Sequence, residues 1–438
     1  MKRLIFSSLN KWRSDRDRKV LLLRGARQVG KTYLIRELGK TFEQYLEVNF
    51  DEQPKVKTFF SGSLSPVEIT EKLGGFFGKS VVPGKTLLFF DEIQSCPDAL
   101  KSLRYFHEKL PGLHTAAAGS LLEFAISDLP SFGVGRIHSL YMQPMNFEEF
   151  LEACGLSELI PLISKASCDS PLDDTLHERA LDKLKTFMII GGMPAVVKTY
   201  VEKHDFTACQ EVLDDLISAF EDDFAKYRKK IHAAKMTEVL KSVALQSGSK
   251  FKYSKISDLR HPSGYKKALD LLVKSGLVHK IHHTHARGIP LGAQTSPQKF
   301  KAIIFDLGIF QRLCGLDLSE YLVRDRVSLV NKGALAEVHV GLELLASGVK
   351  NLRPELYYWH RETRSSNAEV DYVITVNGKI IPIEVKAGIQ GQMQSLSIFM
   401  KERKLKSGIR ISAGNFNSTG KIVNIPLYAA IQARSITP

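Results

Sequence analysis

The segment Gly25-Ala26-Arg27-Gln28-Val29-Gly30-Lys31-Thr32 decides the fold of this chain, because it has the spacing Gly-x-x-x-x-Gly-Lys-Thr. An apolar run at residues 20–23 precedes it, and a helix-like stretch at residues 33–38 follows it. This context of strand, glycine loop and helix is typical of a phosphate-binding loop. The two glycines let the backbone curl so that consecutive N–H groups face inward, and the helix N-terminus adds its positive dipole end.

The chemistry of the segment predicts how a nucleotide would bind. All eight residues would line the phosphates, with Lys31 reaching the β- and γ-phosphates and the Thr32 hydroxyl ligating Mg²⁺. The sequence therefore predicts a site for ATP and Mg²⁺.

A second motif follows at the distance that such a site requires. The apolar run at residues 86–90 predicts a buried parallel strand, and Asp91 and Glu92 come directly after it. Carboxylates at this end of a strand lie at the edge where open α/β sheets bind ligands. We expect Asp91 to hold the Mg²⁺ shell and Glu92 to orient or deprotonate the attacking water. The alternative is that both acids cap the helix that follows.

Two further residues are candidates for the same site. Ser120 follows the predicted strand at residues 114–118, where it could contact the γ-phosphate or cap the next helix. Arg136 follows a flexible Gly133-Val134-Gly135 and could meet the γ-phosphate of its own or a neighbouring subunit, or serve as an ordinary surface arginine.

Bulk properties narrow the class of protein. The 438 residues allow about two to four domains. The formal net charge of +14 favours polyanionic partners such as DNA or another nucleic acid. Five scattered cysteines without a C-x-x-C pair suit a reducing cytoplasm. Without a long apolar stretch or signal-like start, we expect no membrane association. The choice between monomer and homo-oligomer stays open.

Residues 236–285 predict a winged helix-turn-helix. It would comprise helices at residues 236–246, 255–259 and 265–275, a turn at residues 261–264, and a first wing strand at residues 277–281. The third helix has only two basic residues in its first half, so a protein-interaction module is an equal alternative to DNA reading. The wing carries His279, His282, His283 and His285, which suggest a metal site. Because no acidic or cysteine partner lies nearby in sequence, we expect a solvated strand instead.

A hairpin is predicted near the carboxyl terminus, where two alternating stretches flank Asn377-Gly378. Its register would pair Val376 with Lys379, Asp371 with Glu384, and Glu369 with Lys386. One face would then carry the charged residues, and the other would carry an apolar set that we expect to be core. The apolar set is Val370, Tyr372, Ile374, Val376, Ile381, Ile383 and Val385.

The charged face is a candidate second Mg²⁺ site. Asp371 and Glu384 would ligate the metal with Glu337, from a predicted helix at residues 334–345, as a third acid. Lys386 would steady the attacking water or the developing charge. The alternative is a solvent face paired through Glu369 and Lys386, which would leave Asp371 opposite Glu384 without a cation.

These motifs, together with Leu-Leu-Phe-Phe-Asp-Glu-Ile-Gln at residues 87–94 and Gly-Gly-Met-Pro at residues 191–194, resemble a family of prokaryotic AAA-type P-loop ATPases. Its members carry a C-terminal domain of unknown function similar to PD-(D/E)XK nucleases. The resemblance implies an α/β fold: a P-loop parallel sheet with helices on both faces, a winged-helix region and a smaller α/β nuclease-like domain. It implies ATP and Mg²⁺ binding through Lys31, Thr32, Asp91 and Glu92, and Glu337, Asp371, Glu384 and Lys386 as the nuclease-like set.

We therefore expect a cytoplasmic ATPase whose nucleotide state controls a nuclease-like domain that acts on or near DNA. The alternative is a non-catalytic, ATP-driven switch whose C-terminal domain only binds a partner or nucleic acid. The expected domains are an ATPase core at residues 1–155, a helical lid or linker at 156–230, a winged-helix-like region at 231–320 and the nuclease-like domain at 321–438.

Overall fold

The computed structural model describes residues 1–62, 64–120, 122–127, 133, 135–225, 231–256, 262–318, 332–362 and 367–435. The chain forms two compact units. The first, called here the amino-terminal unit, comprises Lys2–Gln143 with Val349–Arg353. The second, the carboxyl-terminal unit, comprises Pro144–Gly348 and Pro354–Pro438, together with Met1.

The amino-terminal unit is built on a parallel sheet in the order β2-β3-β4-β1-β5. Its strands are β1 (Val20–Arg24), β2 (Gln44–Asn49), β3 (Thr86–Asp91), β4 (His114–Ala118) and β5 (Ile137–Tyr141). Residues Leu87 to Phe90 of β3 are wholly buried, which confirms the prediction of a buried parallel strand.

Helices connect these strands and flank the sheet. They are α1 (Phe6–Ser14), α2 (Lys31–Gly39), α3 (Pro66–Phe77), α4 (Pro97–Lys109) and α5 (Leu122–Ser127), with short 3₁₀ helices at Pro54–Phe60 and Ile93–Ser95. Aromatic side chains fill the space between sheet and helices, where Phe90 of β3 packs edge-on against Phe60 and Phe106. The α/β fold expected from the sequence is therefore confirmed, and it brings the carboxyl ends of β1, β3 and β4 to one edge.

The carboxyl-terminal unit begins with helices. They are α6 (Phe147–Ala153), α7 (Leu159–Lys165), α8 (Asp174–Ile190), α9 (Pro194–Lys203), α10 (Phe206–Phe224), α11 (Ala233–Gln246), α12 (Pro262–Lys274), α13 (Leu307–Leu313), α14 (Lys332–Ala346) and α15 (Gln394–Glu402). Further 3₁₀ helices occur at Tyr253–Lys255, Leu291–Gln294 and Leu427–Arg434. Within the described ranges, the helices are all too short or too polar to cross a bilayer.

The same unit contains a mixed sheet of eight strands in the order β12-β13-β11-β10-β9-β8-β6-β7. The strands are β6 (Val278–Thr284), β7 (Thr295–Ile304), β8 (Leu356–His360), β9 (Glu369–Val376), β10 (Lys379–Val385), β11 (Gly408–Ser412), β12 (Asn417–Thr419) and β13 (Ile422–Pro426). The predicted wing, β6 and β7, is thus continuous with the carboxyl-terminal sheet, because β6 pairs in parallel with β8.

The region predicted as a winged helix-turn-helix differs from expectation in two places. The expected turn at residues 261–264 is wrong from Pro262 onward, because α12 begins there with proline in its first turn, a common helix start. The wing is also not a solvated strand, since His283 is wholly buried. Most of the expected short helix, from residue 257, lies outside the described residues, so the winged-helix interpretation itself stays a prediction.

The predicted hairpin between β9 and β10 is confirmed through the pair Tyr372–Ile383. Asn377 and Gly378 both have positive φ, as a two-residue hairpin turn requires. All seven side chains expected to form the core face are buried, with at most 8% exposed.

The pairing of β9 with its other neighbour, β8, is irregular. Against β8, Tyr357 pairs with Val373 but Trp359 pairs with Val370, so β9 has one extra residue here. Such a bulge bends a strand and redirects its side chains. Asp371 lies in the bulge, and its Oδ2 accepts a hydrogen bond of 2.8 Å from the Val385 N–H.

Candidate nucleotide site and acidic cluster

The glycine loop after β1 has the backbone that a phosphate cradle needs. Gly25, Gln28 and Gly30 all have positive φ, at 147°, 65° and 97°. A Cβ at Gly25 would lie 2.3 Å from the Met142 carbonyl oxygen, so this position has no space for a side chain. Gly30 caps α2, whose first residue is Lys31. The predicted strand, loop and helix are therefore all present in order.

Lys31 is folded back onto the loop. Its Nζ donates to the carbonyl oxygens of Gly25 at 3.0 Å and Ala26 at 2.7 Å. Burial lowers the pKa of Lys31 to about 8, although Glu92 and Asp91 oppose this effect. The ammonium group thus lies inside the loop, where a bound anion would stabilise its charged form.

Thr32 and Asp91 meet across the sheet edge. The Thr32 Oγ1 donates a hydrogen bond of 2.9 Å to Asp91 Oδ2. Burial raises the pKa of Asp91 to about 6, which a neighbouring cation would reverse. A hydroxyl and a carboxylate are oxygen donors of the kind that Mg²⁺ prefers, so this pair fits the metal that the motif implies.

Glu92 lies one residue beyond Asp91 and is held by a residue that the sequence analysis missed. The amide of Gln94 donates to Glu92 Oε2, and its Oε1 would lie 1.9 Å from a Cβ at Gly119. Gln94 therefore fills the space between Glu92 and Gly119, the residue after β4, and Ser120 comes next in the chain. The sequence could have indicated this role only through the position of Gln94, two residues after Glu92.

Arg136 lies at the amino-terminal ends of the strands, whereas the glycine loop lies at their carboxyl ends. Its carbonyl accepts a hydrogen bond from the N–H of Val20, at the start of β1, whereas the glycine loop follows the end of β1. Its side chain pairs with Glu108 at 3.0 Å. The structure therefore does not bring Arg136 to the nucleotide site of its own chain, and a role toward a neighbouring subunit stays a prediction. Arg136 comes directly before β5, at the amino end of a parallel strand, a position that the sequence analysis did not predict.

The carboxyl-terminal unit brings four predicted acids together. We call Glu337, Glu369, Asp371 and Glu384 the acidic cluster. Glu337 and Glu384 are buried, at 7% and 6% exposed, and the cluster draws on α14, β9 and β10. Burial raises the pKa values of Glu337, Asp371 and Glu384. The acids lie close together, as the sequence analysis expected. Their ion-pair partners differ from the expected ones.

Lys301 of β7, which the sequence analysis missed, lies inside the acidic cluster. Its Nζ lies 2.7 Å from Glu337 Oε1, 2.6 Å from Glu369 Oε1 and 3.7 Å from Asp371 Oδ1. Its side chain is wholly buried. Burial alone would lower the pKa of Lys301, but the three carboxylates outweigh burial and raise it. The only signal in the sequence was a lysine at the start of an otherwise apolar run, residues 300–305.

Lys386 has a different partner from the one expected. Its Nζ lies 2.8 Å from Glu384 Oε1, and Glu369 pairs with Lys301 instead. The expected pairing of Glu369 with Lys386 is wrong, because each of the two side chains has another partner. Four carboxylates face two ammonium groups, and Glu384 Oε2 is buried without a hydrogen-bond partner among the described residues.

The parallel sheet, the glycine loop and the acids at the strand ends define the amino-terminal unit as a P-loop NTPase fold. Residues 17–151 match a family described as an AAA domain. Residues 181–320 and 332–429 match two families described as domains of unknown function, DUF8612 and DUF4143. No curated protein matches the chain.

The chain is also similar, at low sequence identity, to several solved structures. The Walker-type ATPase PABY2304 of Pyrococcus abyssi has 17% identity and a TM-score of 0.46, with 70% of this chain and 94% of that chain covered. The Aeropyrum pernix ORC1 protein, solved in complex with DNA, has 12% identity, a TM-score of 0.30 and coverage of 74% and 95%. The STAND protein PH0952 of Pyrococcus horikoshii, with a tetratricopeptide repeat sensor, has 13% identity, a TM-score of 0.26 and coverage of 78% and 46%.

Proposed function

We propose that this chain is a Mg²⁺-dependent ATPase. The observation that carries the proposal is the hydrogen bond of 2.9 Å between Thr32 Oγ1 and Asp91 Oδ2, beside a loop with three positive φ angles. This hydrogen bond brings together the two residues that ligate the metal in P-loop NTPases, the hydroxyl residue of the loop and the acid at the end of a neighbouring strand.

In the proposed reaction, the backbone N–H groups of the loop bind the phosphates and Lys31 exchanges its two carbonyl partners for phosphate oxygens. Thr32 and Asp91 would hold Mg²⁺, which neutralises charge that develops on the phosphates. Glu92, positioned by Gln94, orients the water or takes its proton. Ser120 is the candidate contact to the γ-phosphate.

The test separates binding from hydrolysis. Lys31→Ala is expected to lose ATP binding, whereas Glu92→Gln should retain binding and lose turnover. Lys40→Ala is the matched control, because Lys40 directly follows the same helix and makes an exposed ion pair with Glu37. Normal ATP hydrolysis by Lys31→Ala would overturn the proposal.

For the carboxyl-terminal unit, two functions compete. A nuclease would use Glu337, Asp371 and Glu384 as metal ligands with Lys386 beside them, under control of the nucleotide state, and would act on DNA. Support for this function comes from the burial of these acids together and from the orphaned Glu384 Oε2. The net charge of +14 favours a nucleic-acid partner for either function.

The second function, a non-catalytic switch that binds a partner or nucleic acid, has a specific observation in its favour. Lys301 already supplies a cation to three of the four acids, at 2.6 to 3.7 Å. An ammonium group in this position competes with a divalent ion for the same oxygens. We therefore favour the switch, with the acidic cluster as a structural element of the carboxyl-terminal unit.

A plasmid-nicking assay with Mg²⁺ or Mn²⁺, with and without ATP, distinguishes the two. The switch predicts no cleavage by the wild-type protein under any of these conditions. Cleavage that disappears in Asp371→Asn would instead establish the nuclease. Glu402→Gln serves as the control, because Glu402 is an acid at the end of α15 that pairs with Arg361.

The cellular setting is also a proposal. All five cysteines are free thiols in the structure, which supports a reducing compartment such as the cytoplasm. A homo-oligomer would give Arg136 a role at a neighbouring nucleotide site, and the oligomeric state with and without ATP tests that role.

A further inference from the structure

Three side chains from separate stretches of sequence meet where β6 lies beside β8. His283 comes from β6, His360 ends β8, and Glu362 lies two residues further on. One potential ligand atom of each lies within 4.8 Å of the other two. The rings of His283 and His360 are 4.4 Å apart between centroids. We propose that these residues form a binding site for a Zn²⁺-like transition-metal ion.

The hydrogen bonding of His283 is that of a metal ligand. Its Nε2 lies 3.3 Å from the carbonyl oxygen of His360. A carbonyl only accepts, so Nε2 carries the proton and Nδ1 presents its lone pair. Metal-bound histidines commonly donate their other N–H to a backbone carbonyl, which fixes the ring orientation.

That lone pair has no partner in the part of the chain that the structure describes. The Nδ1 atoms of His283 and His360 are both buried and accept no hydrogen bond from the described residues. His283 is wholly buried, so an unpaired Nδ1 carries a cost in free energy that a bound cation would remove. Burial also lowers the pKa of His283 and, to about 4, that of His360.

The donor set selects the kind of ion. Two imidazoles and one carboxylate are a common zinc set, and Zn²⁺ also accepts water as a fourth ligand. The centroid of the His285 ring lies 5.3 Å from that of the His283 ring. Mg²⁺ and Ca²⁺ prefer oxygen ligands, so a site with two imidazoles favours Zn²⁺ over both of them.

The ammonium group of Lys299 would compete with a metal ion for Glu362, but it can move away. Lys299 forms an ion pair with Glu362, and both side chains are more than 40% exposed. A metal would take the carboxylate from Lys299, and the exposed ammonium group would return to water at little cost. Glu369, which lies opposite His360, is held by Lys301 and is therefore not an additional ligand.

The experiment measures Zn²⁺ binding to the full chain. Equilibrium dialysis with Zn²⁺ alone, followed by metal analysis, should give one Zn²⁺ fewer per chain for His360→Gln than for the wild type. Glu362→Gln, at an exposed position that folding tolerates, should weaken the same site at least tenfold. His282→Gln is the matched control, because His282 lies on the same strand and outside the site; its Zn²⁺ stoichiometry should equal that of the wild type.

A spectroscopic signature adds a second readout. Co²⁺ bound to the wild-type protein should give the visible absorption of a low-coordinate nitrogen–oxygen site, and His360→Gln should abolish that absorption. If His360→Gln and Glu362→Gln both retain the wild-type Zn²⁺ stoichiometry and affinity, the proposed site is wrong. These measurements are independent of ATP hydrolysis, so they stand whether or not the proposed ATPase is correct.

Discussion

Lys301 and Glu337 form an ion pair of 2.7 Å that is almost entirely removed from solvent, between β7 and α14. The two residues are 36 positions apart in sequence. Tyr372 reinforces the contact, because its hydroxyl donates 2.8 Å to the Glu337 carbonyl oxygen. The pair thus ties the strand that carries the predicted wing to the helix that carries the predicted metal ligand.

The first prediction follows from this burial. Lys301→Met should destabilise the protein by about 3–5 kcal/mol at pH 8, because three carboxylates then lose their cation in a buried site. The loss should be smaller at pH 5, since burial already raises the pKa values of Glu337 and Asp371 and protonation relieves the repulsion. Chemical denaturation at the two pH values measures both effects.

Lys299→Met is the control for Lys301→Met. Lys299 lies on the same strand, but its ion pair with Glu362 is exposed, so its loss should cost less than about 1 kcal/mol. Added Mg²⁺ or Mn²⁺ should restore part of the stability of Lys301→Met only. Equal stability of the two variants at pH 8 would contradict the role given to Lys301.

The second prediction concerns the pH dependence of nucleotide binding. Asp91 must be ionised to hold Mg²⁺, and its pKa of about 6 means that affinity falls as pH drops below that value. Lys31 must be protonated to bind phosphates, and its pKa of about 8 means that affinity falls as pH rises above that value. Calorimetric titration of Mg²⁺-ATP should therefore give a maximum between about pH 6 and pH 8.

Two variants test which residue causes the loss of affinity at low pH and which causes the loss at high pH. Asp91→Asn should bind Mg²⁺-ATP more weakly and lose the acid limb, while the alkaline limb stays. Lys31→Arg should remove the alkaline limb, because a guanidinium remains charged across this range. A flat profile in the wild-type protein between pH 5 and pH 9 would contradict both assignments.

The features that the sequence predicted correctly have local causes. The strand, glycine loop and helix around Lys31 follow from neighbouring residues, and the hairpin follows from Asn377-Gly378. Asp91 could be placed beside Thr32 because parallel strands present their carboxyl ends at one edge.

The features that it missed depend on contacts between distant parts of the chain. The approach of His283 to His360 and Glu362 requires the parallel pairing of β6 with β8, which no local pattern specifies. The bulge in β9 lies in its pairing with β8, so the hairpin alone could not predict it.

The third prediction uses the close approach at Gly25. Gly25→Ala should lower ATP affinity at least tenfold and destabilise the protein by more than about 1 kcal/mol, because the added Cβ would lie 2.3 Å from the Met142 carbonyl oxygen at a positive φ. Gly75→Ala, in α3 with open space around the added Cβ, is the control and should be neutral or stabilising. Nucleotide binding and thermal unfolding are measured for both, and wild-type ATP affinity in Gly25→Ala would count against the loop as the phosphate site.

The last prediction tests whether Gln94 positions Glu92. Gln94→Leu removes the amide that donates to Glu92 Oε2 while keeping a similar volume, and Gln94→Glu places a like charge against it. Both variants should lower kcat for ATP hydrolysis, Gln94→Glu by more, and leave KM nearly unchanged, because Glu92 acts on the water and not on the bound phosphates. Ser95→Ala, one residue further along the same 3₁₀ helix, should behave as wild type. A merely structural role for Gln94 would instead lower the thermal stability and change kcat and KM together, so unfolding curves measured beside the kinetics separate the two roles.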